Sequence, residues 1–162
     1  MSTSSVYDHG IDTLAGEHLA LGVFRGLPLL IVNLGTRGPH ADQITGLQEL
    51  HDSFSTMGLT VVGIPSNDFG GEPGELERIR DRLTLDFRAT FLLSLPLRVA
   101  GPRPSPLFRT LTAFQDRPVR SDAEKFVVDG DGYVVERFGP DVRPGDAALM
   151  GALKFVLPTL GY

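Results

Sequence analysis

The segment Leu29-Leu30-Ile31-Val32-Asn33-Leu34 is aliphatic at every position but Asn33. A strand with one face in water alternates apolar and polar side chains, so an unbroken run marks a strand covered on both faces. From about Asp42 the apolar positions become Ile44, Leu47, Leu50, Phe54 and Met57, the spacing of one helix face, and Gly58 supplies a left-handed stop. Leu59 to Ile64 is a second apolar run. Strand, helix and strand in this order form a βαβ unit with a parallel pair. A buried parallel pair needs helices on both sides, which confines the chain to the α/β class.

The remaining segments fit that class. Val6 to Ala20 reads as an N-terminal β-hairpin turning near Asp12 and Gly16. A Gly/Pro-rich loop, Pro65 to Gly74, leads to a charged helix from Glu75 to about Leu83, with Leu76, Ile79 and Leu83 on one side. A third strand is expected over Ala89 to Ser94 and a short helix over Leu107 to Phe114. Asp129-Gly130-Asp131-Gly132 between two apolar runs, Lys125 to Val128 and Tyr133 to Phe138, is a hairpin signal because glycine supplies positive φ. A last helix covers about Gly145 to Phe155. The pattern predicts a mixed central sheet flanked by helices, and the length of 162 residues predicts a single domain over 1–162.

Composition removes several functions. The chain has no cysteine, so it has no disulfide, thiolate metal site or thiol nucleophile. A net charge of −5 without a basic cluster argues against a nucleic-acid surface. The apolar run from Leu27 to Leu34 is too short to span a bilayer. The first residues lack the positive-then-apolar order of a signal peptide, so the cytoplasm is the expected compartment. No ligand spacing implies a metal, and no motif implies a cofactor: Gly70-Gly71 lacks a phosphate-loop ending, and Asp129 and Asp131 lack the rest of a calcium loop.

Four ordered blocks carry a resemblance. "LLIVNLGTRG" with "GLQEL", "VVGIPSNDFGGEPG", "GPRPSPLFRTL" and "EKFVVDGDGYVVERFGP" are similar to successive segments of the glutathione peroxidase family, over nearly the whole chain. The resemblance implies a thioredoxin-like fold. It also implies a site in which a cysteine or selenocysteine is polarised by glutamine, tryptophan and asparagine. Position by position, the nucleophile falls on Gly38, the glutamine on Asp68, and the tryptophan and asparagine on Ser121 and Asp122. The next residue, usually phenylalanine, is Ala123, and the cysteine of the second block is Ser66. Peroxide reduction needs a chalcogen nucleophile that is oxidised and regenerated, and none exists here. The sequence therefore predicts a family member without thiol peroxidase activity.

What replaces that chemistry is read from the residues at the same corner. Gly38, Ser121 and Ala123 are small, which predicts volume for a small organic molecule. Asp68 and Asp122 on two loops predict an acid–base pair in which one carboxyl is raised, and His40 is a third candidate for catalysis. Arg37, Gly38, Ser66 and Ser121 are the candidate binding residues. Amides near His40 to Gln43 are expected to hold an anionic group, with Arg37 assisting. Isomerisation, cyclisation or dehydration fits such a site. The competing reading is an inactive scaffold used for binding, with the same residues as solvated loop groups.

Overall fold

In the computed structural model of the chain, residues 4–70 and 75–158 are described. Met1 and the end of the Gly/Pro-rich loop, with Gly71, lie outside them. Strands β1 (Gly10–Asp12) and β2 (His18–Ala20) pair antiparallel as the expected N-terminal hairpin. β3 (Leu29–Leu34), α1 (Gln43–Phe54) and β4 (Thr60–Pro65) form the βαβ unit, with β3 and β4 parallel in the register Leu29↔Thr60 to Leu34↔Pro65. Gly58 ends the helical stretch at φ 106°. α2 (Leu76–Asp81), β5 (Leu92–Leu93), α3 (Pro106–Ala113), β6 (Lys125–Val128), β7 (Val134–Phe138) and α4 (Ala147–Val156) follow. The five-stranded sheet has the order β5-β4-β3-β6-β7, with β6 and β7 antiparallel.

The unbroken apolar run of β3 divides between two cores. Leu30, Val32 and Leu34 pack with Ile44, Leu47 and Leu50 of α1 and Leu149 and Leu153 of α4. Leu29 and Ile31 point the other way, toward Leu107, Phe108 and Leu111 of α3. Alternate residues thus serve opposite faces, and both faces are covered. Phe108 and Phe126 meet edge to face at 5.9 Å and 87° in the second core. Phe69 packs on its border and ties the second loop down, as the sequence suggests.

Two elements differ from expectation. The third strand shrinks to Leu92–Leu93, because only Val62 and Gly63 of β4 pair with it. The charged helix ends at Asp81 and passes into a π-helical turn, Arg82–Asp86, which keeps Ile79 and Leu83 buried. The N-terminal segment is latched to the β6–β7 turn: Val6 N–H donates to Gly132 O at 2.8 Å and Ser5 Oγ to Asp131 O at 2.9 Å. Gly132 sits at φ 90°, and a Cβ there would lie 2.0 Å from Ser5 Oγ, so no larger residue fits beneath the latch.

Candidate functional site

β3 leads at Leu34 into a chain of tight turns. Gly38 N–H donates to Gly35 O at 3.2 Å, Ala41 N–H to Gly38 O at 3.2 Å, and Gln43 N–H to His40 O at 3.0 Å. Ile44 N–H donates to Ala41 O at 3.1 Å. Of the amides expected to hold an anion at the start of α1, those of Ala41 and Gln43 are thus engaged within the turn.

The opposite wall is the turn before β6, and Asn33 builds it. Asn33 is the polar interruption in the apolar run, and it is fully buried. Its Nδ2 donates to Ser121 O at 2.8 Å, its Oδ1 accepts Glu124 N–H at 3.1 Å, and its carbonyl accepts Ala123 N–H at 2.7 Å. Ala123 is drawn into the left-handed region at φ 65°, a conformation unusual for a residue with a Cβ. This clamp pulls the turn onto β3. The cavity bordered by His40, Gln43, Asp122 and Ala123 measures about 10 Å³. That is the lower limit for one water molecule.

Asp122 is buried, and its Oδ1 has no hydrogen-bond partner. Burial pushes its carboxyl up to about 6; the positive charge of His40 opposes the rise and the charge of Asp68 adds to it. Burial is the largest of these causes. Asp68 itself is held by its own loop. Its Oδ2 accepts Val99 N–H at 2.6 Å, Ala100 N–H at 3.1 Å and the Ser66 hydroxyl at 3.2 Å. Ser66 is buried, and its Oγ also accepts Asp68 N–H at 3.1 Å. Asp68 and Ser66 therefore fasten one loop to the next. Ser121 takes part through its backbone, its carbonyl held by Asn33 and its N–H donating to Glu124 Oε2 at 3.3 Å.

Arg37 opens onto a different cleft of about 410 Å³, which it lines with Arg78, Asp81, Arg82 and Asp86. This cleft and the Asp122 cavity share no lining residue. His40 and Asp122 thus border one cavity, while Arg37 lines another cleft. Sequence reasoning missed Asn33, whose signal was a polar residue inside a buried strand, and the basic side chains of α2. It also missed Lys125, fully buried on β6, whose Nζ donates to Gln43 Oε1 at 2.5 Å and to Gly139 O at 3.4 Å. Burial lowers the Lys125 pKa to about 8, and the charge of Arg143 acts in the same direction.

A mixed sheet between helical layers, with a turn after the first parallel strand as the candidate site, defines a thioredoxin-like protein. The fold matches the crystal structure of T. cruzi GPX1 with a TM-score of 0.73, covering 93% of this chain and 97% of that one at 24% identity. A thiol:disulfide interchange protein from Chlorobium tepidum matches with a TM-score of 0.74, covering 98% of this chain and 99% of that one at 18% identity. The glutathione peroxidase family model matches residues 6–112. Glutathione peroxidase homolog BsaA of Staphylococcus aureus is 34% identical over 86% of this chain and 92% of its own length. Hydroperoxy fatty acid reductase gpx1 of Synechocystis is 35% identical over 91% and 94%. The chain belongs to the glutathione peroxidase family.

Proposed function

We propose that this family member does not reduce peroxides through a thiol and that its former active-site corner performs non-redox acid–base chemistry on a small organic molecule. The observation that carries the reading is Asp122: a buried carboxyl beside His40, raised to about 6, with one oxygen unpartnered. A carboxyl near 6 exchanges its proton close to neutral pH, which suits a general acid or base. The size of the cavity limits the substrate. About 10 Å³ admits a single small polar terminus, such as a hydroxyl or carbonyl oxygen, while the body of the molecule stays outside. In this reading Asp122 moves the proton and His40 supplies the opposing charge. Asp68 raises the Asp122 carboxyl from its fixed place in the loop, and Ser66, Ser121 and Gly38 shape the wall. Isomerisation takes a proton from one atom of the substrate and returns it to another, dehydration adds the departure of a hydroxyl as water, and cyclisation adds the attack of one substrate group on another, each within the same molecule.

The same cavity favours a second reading, a binding scaffold without catalysis, because the cavity that Asp122 borders measures only about 10 Å³ among the described residues. Two measurements separate the readings. Glutathione-dependent turnover of hydrogen peroxide is expected to be absent, and to stay absent in Gly38→Cys, since the residues that polarise the family's nucleophile are missing too. Titration of the Asp122 carboxyl by carbon-13 resonance is expected to give a value near 6. An ordinary carboxylate value would remove the acid–base reading and leave the scaffold.

A further inference from the structure

The cleft at Arg37 has the size, charge and built walls of a ligand site, and Asp122 plays no part in it. At about 410 Å³ it falls in the range of small-molecule pockets. Its floor is the π-helical turn Arg82–Asp86, a rare element that concentrates at functional sites. Arg82 is fixed there on three sides. Its guanidinium donates to Thr36 O at 3.0 Å and to Asp86 Oδ2 at 3.0 Å, and it lies over the Phe87 ring at 5.2 Å. Its Nε is buried with no partner. The link to Thr36 joins this wall to the turn that carries Arg37.

The two other arginines are available to a ligand. Arg37 is exposed and makes no hydrogen bond or ion pair among the described residues. Arg78 pairs only with Glu75 at 3.3 Å, and both side chains are largely in solvent. Such an exposed pair contributes little and gives way to a better acceptor. Asp81, on the same helix as Arg78, has no ion-pair partner among the described residues. The lining thus offers two guanidinium forks to an oxyanion and one carboxylate to a donor.

We propose that this cleft binds a small organic oxyanion, a carboxylate or phosphate taken by Arg37 and Arg78, with a hydroxyl or amine on the same molecule donating to Asp81. Guanidinium forks match both oxyanions, which fixes the class of ligand. The proposal rests on the small-molecule part of the reading above and is independent of its acid–base part. It names the anchor of the ligand, where that reading names the proton carrier.

The test is a titration of the full chain with inorganic phosphate, succinate and malate, followed by amide chemical shifts and calorimetry. Saturable binding of at least one probe is expected, with shifts at residues 37 and 78–86 and weaker binding as salt rises. Phosphate alone binding identifies a phosphorylated ligand, and the dicarboxylates alone a carboxylate. Arg37→Ala and Arg78→Ala should each weaken binding about tenfold, as expected for a charge-assisted fork, and should leave the melting temperature unchanged because both side chains lie at the surface. Malate should bind more tightly than succinate, and Asp81→Ala should remove that preference. Asp122→Asn should bind as the parent does, whatever becomes of the acid–base reading. No saturable binding, or binding retained in either arginine variant, overturns the proposal. Equal binding of malate and succinate overturns the role of Asp81, and loss of binding in Asp122→Asn overturns the placement of the ligand in this cleft.

Discussion

Asp122 ties the candidate site to stability. Its folded pKa of about 6 lies above the ordinary 3.8, so between these values the folded chain binds more protons than the unfolded one. Stability from this group is complete below 3.8 and is lost as pH rises through about 6. The size is on the order of 2–3 kcal/mol, at 1.36 kcal/mol per pKa unit. Asp122→Asn should remove this acid-range slope, and urea melts at pH 4 and pH 7 compared between parent and variant would show it. Asp122 was legible because the family resemblance marked its position and two nearby carboxylates imply a shifted pair. Its surroundings were not. The clamp beside the cavity depends on Asn33 reaching Ser121, Ala123 and Glu124 across about ninety residues of chain, and no local pattern encodes that contact.

Among the elements, β6 and β7 carry the costliest polar contact. Arg137 of β7 and Glu124, just before β6, pair at 2.9 Å with the arginine side chain fully buried. The same guanidinium lies 4.8 Å over the Phe126 ring and donates to the carbonyls of Arg117 and Pro118. Glu124 also accepts the N–H groups of Arg120 and Ser121, so it organises the turn that presents Asp122. Glu124→Ala should destabilise the fold by about 3–5 kcal/mol, since removing one partner leaves a buried charge alone. Denaturant melting would measure the loss. The strong periodic elements, β3, α1, β4 and the β6–β7 hairpin, were readable because their burial pattern is local. The weak ones were not. Leu92–Leu93 is a strand only because β4 lies beside it, and the π-turn after α2 has no distinct composition.

At the scale of the molecule, Lys125 joins what the elements leave separate. Its Nζ holds Gln43 at the start of α1, and Gln43 Nε2 in turn donates to Pro140 O at 2.8 Å beyond β7. Its folded pKa of about 8 lies below the ordinary 10.5, so between them the unfolded chain binds more protons. Stability from this group should therefore rise with pH across that range. Lys125→Met should flatten the alkaline limb, read as the difference between parent and variant melts at pH 7.5 and pH 10, about the two ends of the titration. Fold and family were legible in full from four ordered blocks, whereas the site was legible only as a set of residues. The resemblance assigned Arg37, His40, Asp68 and Asp122 to one corner; in the structure His40 and Asp122 border a small cavity, Arg37 lines an open cleft, and Asp68 is bonded within its own loop region.

The latch between Ser5, Val6 and the Asp131-Gly132 turn should also slow the opening of a segment distant in sequence. The two segments lie 126 residues apart in sequence, and one amide and one hydroxyl of the first donate to carbonyls of the second. Deleting residues 1–6 should speed deuterium uptake at residues 129–133 while leaving uptake in β3 unaltered. The exchange lifetime of the β6–β7 turn is then a gauge of whether the N-terminus is in place.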